Sequence, residues 1–482
     1  MAGAVGELDP WGWGGAAQMS AWEALMWRAE GDLRTRSSGV LLELLDTAPD
    51  WNRLRDAHER ATHVIPRLRD RVVEPALPVT TPVWTEDTNF DLDYHLQRSR
   101  LPEPGSMRQL LDLAGHVASR PLDVNRPPWE AVLVEGLADG KAAYVLKLHH
   151  SLSDGLGFMQ LLGLSHSRTA APGGQPIASV PPAPPRSDQP PPTPLGLVGS
   201  QLREDLTGLP ARAVGTAGAA IGLLGRALKD PIGSLTEAVD YGRSLVRVLS
   251  PPASERSPLL RAGGGFSYCL LTYEMTLNEV KAAGKAVGGS VNDVFLAGIL
   301  GAFRRYHEFL GQPIEQMPIS IPISLRDSND PAGGNRWAGA RLVAPVGEPD
   351  PRRRMLLIRE QILAARQEPA IAFMEFLAPA LNRLPSAALT EIAGGMTNVS
   401  DVQASNVPGL GFPVYLAGAR VRRTFAMGPR PGVSAMITMV SYDGVCCLGV
   451  NLDPDSITDV PAFERCLHEG FTEVLELSGA GH

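Results

Sequence analysis

The sequence predicts a mixed α/β (α+β) fold in two halves, and three observations carry that reading. At 482 residues, 44% hydrophobic and 20% charged, the chain has an ordinary globular composition but is too long for one core. Runs with strand alternation and runs with helical spacing are mixed throughout, without clean βαβ repeats. Ten prolines fall between Pro172 and Pro194 among few apolar residues, a composition that builds no packed element and reads as a linker. The expected division is therefore an N-terminal extension over 1–18, a first domain over 19–171, a Pro-rich linker with crossover helices over 172–260, and a second domain over 261–482.

In the first half, Ala21 to Trp27 is an apolar helical patch, Val40 to Leu45 a strand, and Asp50 to Ala61 an amphipathic helix. From Pro82 to Ser106 aromatic and acidic residues alternate before a Pro-Gly turn, as in an edge strand with a loop; His95, inside it, reads as structural. A helix over Met107 to Arg120 leads to a strand over Ala131 to Glu135. Asp139-Gly140 then turns the chain into a further strand from Ala142. After the linker, Leu195 to Ser250 is rich in Ala, Gly, Leu and Arg and suggests two helices. The second half opens on a strand over Phe266 to Met275. Thr276 and Glu279 form a capping box that starts a helix ending at Gly288-Gly289, and Ser290 and Asp293 repeat that relation before the apolar run Val294 to Leu310. A strand ending at Ser324, a polar Gly-rich loop, a loop and strand over Ser405 to Val421, and a hairpin turning at Asp443-Gly444 complete the chain.

The strand from Ala142 delivers His149 and His150 to its end, followed by Asp154 and Gly155: an HHxxxDG pattern. Successive side chains on a strand face opposite ways, so the two histidines do not converge on one metal, and no metal site is expected. Such a strand end can aim one imidazole into a cavity while the other packs inside. A placed imidazole, with an ordinary pKa of ~6.5, is typically worth ~10² to 10⁴ in rate as a general base. Asp154 would then orient or brace the loop. The alternative is two merely hydrogen-bonded histidines beside a DG turn. Asn292 falls on the first turn of a helix, beside free backbone N–H groups suited to developing negative charge, although Asn is also a common helix-start residue.

The net charge of -8 gives no basic footprint, which disfavours nucleic acid. Cys269, Cys446, Cys447 and Cys466 contain no CxxC pair and suit neither a disulfide framework nor a zinc cluster. The N-terminus lacks a basic n-region and no 18 uncharged apolar residues run together, so a cytoplasmic chain that is neither secreted nor membrane-spanning is expected. No G-x-S-x-G elbow and no P-loop appear. A base without an enzyme nucleophile suggests direct transfer, in which the acceptor's own hydroxyl or amine attacks a bound thioester.

Several stretches coincide in order: VWTED and FDLDYH (83–95), PLD and RPPWE (121–130), HHSLSDG (149–155), SVNDVFLA (290–297), PISLRD (322–327) with Gly334-Asn335, SNVPG (405–409), YLAGARV (415–421) and SYDG (441–444). Together they resemble the bacterial wax ester synthase/diacylglycerol acyltransferase family from about Met19 to Leu477. HHxxxDG alone is shared by a wider superfamily of CoA- and carrier-dependent acyltransferases; the SVNDVFLA and SNVPG segments narrow the match. Two departures stand out: RPPW at Arg126 to Trp129 where the family has RPLW, and Glu23 where Asp is common.

The resemblance implies two chloramphenicol-acetyltransferase-like domains around a central channel. His150 would be the general base, Asp154 and Gly155 structural, with Arg326 a partner of Asp154, and Asn292 would steady the carbonyl oxygen; His149 and Asp293 accompany them. Long-chain acyl-CoA would be co-substrate with no resident cofactor, and diacylglycerol or a long-chain alcohol the acceptor. It also implies peripheral association with the inner membrane or lipid inclusions. Two other readings stay open: a carrier-protein-dependent condensation or polyketide-associated acyltransferase, and a non-catalytic paralogue that binds lipid inclusions.

Overall fold

The computed structural model describes residues 13–32, 35–171, 191–203, 254–260, 267–325, 333–335, 337–368, 378, 381–384 and 399–479. In the first half the elements are α1 (Ala21–Ala29), β1 (Ser38–Leu45), α2 (Trp51–Val64), β2 (Asp70–Val73), β3 (Val83–Glu86), the short α3 (Leu92–His95), β4 (Leu96–Arg100), α4 (Met107–Ser119), β5 (Trp129–Glu135), β6 (Ala142–His149) and α5 (Gly155–Ser165). The second half contributes β7 (Cys269–Thr276), α6 (Leu277–Val287), α7 (Val291–Phe309), β8 (Met317–Ser324), β9 (Trp337–Ala344), α8 (Pro351–Arg366), β10 (Val402–Pro408), β11 (Tyr415–Leu416), β12 (Ala419–Met427), β13 (Ala435–Tyr442), β14 (Val445–Leu452) and α9 (Val460–Leu475). Most of the linker and crossover region expected over 172–260 lies outside the described residues; 194–203 are helical.

Two six-stranded sheets form, ordered β11-β12-β1-β6-β5-β4 and β7-β14-β13-β10-β8-β9. The first corrects one expectation. β11 and β12 were expected in the second domain, but β12 runs antiparallel to β1, from Val40 opposite Met427 to Leu45 opposite Val421, and so completes the first sheet. β1 has side chains buried on both faces and needs partners on both edges; β6 supplies one and β12 the other. A second expectation also changes: residues 13–18, read as part of a loose extension, are docked. Trp13 is buried and donates through Nε1 to the Gly157 carbonyl, and Arg67 donates to the carbonyls of Gly14, Gly15 and Ala16.

The second core is organised by α7. Ser290 and Asp293 form the expected reciprocal capping box, and nearly every residue from Asp293 to Phe303 is buried between the second sheet and α9. Each such Leu, Ile or Phe contributes roughly 1.5–3 kcal/mol relative to exposure. Among the described residues no single helix is long and apolar enough to cross a membrane; α6 and α7 meet that length-and-composition test only together, and they are bent by 93°.

Candidate active site

β6 pairs with β1 over its whole length, Ser38 opposite His149, so the strand end carrying both histidines is fixed from one side by an eight-residue ladder. The alternation then separates them. His149 is fully buried: Nδ1 meets Ser151 Oγ at 2.7 Å, Nε2 lies 3.2 Å from Glu30 Oε2 as an ionic contact, and Trp27 stands edge-on at 5.1 Å. His149, a candidate catalytic residue in sequence, is thus placed outside the cavity, behind the base. His150 faces the other way, into a cavity of about 490 Å³ between the two sheets.

His150, Asp154, Gly155 and Asn292, taken from both halves of the sequence, line that one cavity. Asp154 caps α5, accepting from the Gly157 N–H at 3.0 Å, while its own N–H donates to the Gly334 carbonyl at 3.0 Å. Gly155 sits where the second sheet comes closest: a Cβ there would lie 2.7 Å from Val407 Cγ2. Asn292 occupies the first turn of α7. Asp293 does not join them; it closes the Ser290 cap and pairs with Arg359 at 2.7 Å, which makes it structural. Arg326 lies outside the described residues.

One residue has no role assigned by sequence. Asn335 Nδ2 donates to the His150 carbonyl at 2.8 Å, which turns its Oδ1 toward His150 Nδ1 at 3.4 Å. An amide oxygen only accepts, so Nδ1 carries the proton and the Nε2 lone pair is left as the base. Gly333 and Gly334, both at positive φ (72° and 68°), fold this segment back onto the histidine loop, where Gly333 N–H donates to Gln160 and Ser153 Oγ to the Gly334 carbonyl. That double glycine before an Asn is the signal in sequence for such a strap. Burial pushes the His150 imidazole below its ordinary pKa; Asp154 and the Asn335 hydrogen bond pull part of the way back. The base is therefore neutral at physiological pH. Phe158 and Trp337 stand edge-on to its ring at 5.7 and 6.4 Å and keep its surroundings apolar.

The remaining motifs build the frame rather than the cavity. Arg126 of RPPW reaches Asp87 of VWTED at 3.4 Å and the Asn89 carbonyl at 2.6 Å. Trp129 stacks on His95, whose Nδ1 donates to the Trp129 carbonyl at 2.7 Å, and His95 lies outside the cavity lining. Glu23 closes the Ser20 cap of α1. None of the four cysteines lines the cavity, and burial raises all their thiols, Cys446 to about 11 and Cys447 to about 12, so none is set up as a thiolate nucleophile. Among the described residues no cluster of His, Cys, Asp and Glu could hold a metal.

A neutral imidazole and an amide lining one cavity suit transfer between two bound substrates, one giving a proton and the other gaining charge on oxygen. The fold is similar to a wax ester synthase/diacylglycerol acyltransferase from Marinobacter aquaeolei VT8 (TM-score 0.63, 22% identity, 96% of this chain and 100% of that one). It is also similar to the first condensation domain of the CDA synthetase (TM-score 0.58, 14% identity, 95% of each chain). Together these define the class of fold: two chloramphenicol-acetyltransferase-like domains. Residues 19–295 match the model of the wax ester synthase/diacylglycerol acyltransferase catalytic domain and 333–475 that of its C-terminal domain. A Mycobacterium tuberculosis H37Rv chain that carries a provisional diacylglycerol O-acyltransferase name is 42% identical over 460 residues, covering 94% of this chain and 91% of that one. The chain belongs to the wax ester synthase/diacylglycerol acyltransferase family.

Proposed function

We propose that this acyltransferase moves a long-chain acyl group from acyl-CoA to a lipid hydroxyl, diacylglycerol first and a long-chain alcohol second, without a covalent acyl-enzyme. The observation that carries the reading is the His150–Asn335 pair, which presents Nε2 as a base to an apolar cavity that Asn292 also lines. His150 Nε2 takes the acceptor's O–H proton as that oxygen attacks the thioester carbonyl. The carbonyl oxygen becomes negative facing the Asn292 side chain and the first turn of α7, where an amide donor and free N–H groups favour charge. Collapse restores the C=O, breaks the C–S bond, and the departing thiolate receives the proton from His150. Because Nε2 starts and ends neutral, one residue serves both steps. Peripheral contact with a membrane or lipid inclusion is part of the same proposal, since both the acceptor and the product are water-insoluble.

The test offers purified protein a labelled long-chain acyl-CoA with diacylglycerol or a long-chain alcohol and separates the products. Labelled triacylglycerol, formed without label on the protein, is expected. No ester with either acceptor, or label trapped on the protein, would overturn the proposal.

A further inference from the structure

α5 begins at the catalytic loop and ends against the middle of the first sheet. At its start Asp154 caps the helix, Phe158 stands edge-on to the His150 ring at 5.7 Å, and Gln160 accepts from the Gly333 N–H at 2.9 Å, holding the strap that carries Asn335. The helix is about 16 Å long at 1.5 Å per residue. Just past its far end, His166 Nε2 meets Glu43 Oε2 at 2.9 Å, with both side chains buried. Glu43 lies on β1 directly opposite Tyr144 of β6, the strand that delivers His150.

We infer that the Glu43–His166 contact is a positioning pair for the transfer reaction: it registers α5, and through α5 the surroundings of His150, on the sheet that carries the base. This rests on the reading of His150 as the base. Apolar burial alone does not register this helix. Its buried side chains are Met159, Leu161 and Leu162, and burial of that kind is non-directional, scaling with area rather than orientation. Nor is the packing beneath it closed. A cavity of about 40 Å³ lies between α2, β6 and the end of α5, with His58, Tyr144, Leu161, Leu162 and Ser165 in its lining. A close-packed interior holds an element in one place, whereas an open one leaves it room to shift. The Ser167–Tyr415 backbone pair ties the following chain to β11 at the edge of the sheet, but His166 reaches a central strand. Ser165 Oγ donates to the Leu161 carbonyl at 2.8 Å and stands 3.0 Å from His166 Nδ1, so the imidazole has a neighbour at each nitrogen. Stability does not explain the pair. Removing a carboxylate and an imidazole from water costs free energy that their contact offsets only in part, and Glu43 Oε1 has no partner among the described residues. A small displacement of α5, by contrast, would move Phe158 and slacken the Gly333 bond, and ~1 Å at a base can cost ~10² in rate.

The experiment replaces both members at once, Glu43→Leu with His166→Leu, a change that the adjoining cavity has room for and that leaves neither partner alone. With palmitoyl-CoA and diacylglycerol, this double variant should melt at or above the wild-type temperature yet lose about tenfold in kcat. Glu43→Gln, which keeps an oxygen in place for His166, should recover most of that loss. In a His150→Ala background the two leucines should slow the residual transfer no further, because the pair acts through the base. A merely structural pair would behave otherwise: the double variant would melt well below wild type with its rate per folded molecule intact, or its loss would multiply with that of His150→Ala. Either result overturns the inference while the base assignment stands, as does a Glu43→Gln variant as slow as the leucine pair. A wild-type rate in His150→Ala would overturn the base assignment and this inference with it.

Discussion

The two sheets treat their central ladders in opposite ways. In the first, β1 is paired along its length on both edges, with β6 and with β12, and the strand end bearing His150 is held accordingly. In the second, the β8–β10 ladder stops after two residues, and the strand ends beyond it line the cavity. A general base gains from a fixed position, because a misplacement of about 1 Å can cost ~10² in rate, so it is carried on a continuous sheet. A cavity needs volume, and two strands that part after a short ladder provide it.

If the first sheet supplies the base, His150→Ala should lower the initial rate by ~10² to 10⁴ with the circular dichroism spectrum unchanged. Wild-type activity in that variant would remove the reason for the rigid ladder. On the second sheet's side, Asn292→Ala should lower kcat by ~10² to 10³ and leave KM for acyl-CoA nearly unchanged, because the charge it meets exists only in the transition state. Asn292→Asp should be worse, placing negative charge where more must form. An active Asn292→Asp variant would make Asn292 a helix-start residue, for which Asp is a good replacement.

Asn335→Ala should cost about tenfold in kcat by releasing the tautomer, and it should also move the pH profile. Burial already lowers the His150 pKa, so the wild-type rate should hold as pH falls from 7 and decline only below the ordinary histidine value of ~6.5. The Asn335 hydrogen bond raises that pKa, so its loss should shift the acid limb to still lower pH. A variant slowed at every pH with the limb unmoved would assign Asn335 to the fold alone. The smallest effect on rate is expected from His149→Ala. Burial opposes charge on Glu30, but the bonds from His149, Ser37 and Ser38 hold its carboxyl below the usual range. Removing His149 leaves that buried carboxylate short of a partner, at a cost of about 1–3 kcal/mol in stability, read as a lower Tm with part of the activity retained.

What the sequence disclosed and what it hid follow from range. The HHxxxDG loop and the two capping boxes are local patterns, and His150, Asp154 and the start of α7 appear where their spacing places them. The opposed fates of His149 and His150 also follow from strand alternation alone. Gly334-Asn335 was visible as a motif, but its contact with His150 was hidden, because it spans 185 positions through a loop that no periodicity marks. The return of β12 to the first sheet was hidden for a similar reason: its alternation shows that it is a strand, not which edge it will cover.

A double-mutant cycle on His150 and Asn292 decides whether the two sheets act on one carbonyl. Without the base, attack no longer loads charge onto that oxygen in the same step, and Asn292 has less to stabilise. Single-turnover rates of His150→Ala, Asn292→Ala and the combined variant, with diacylglycerol as acceptor, should show the double variant little slower than the slower single. Losses that multiply in full would mean that the two residues serve separate events, and would contradict a shared site.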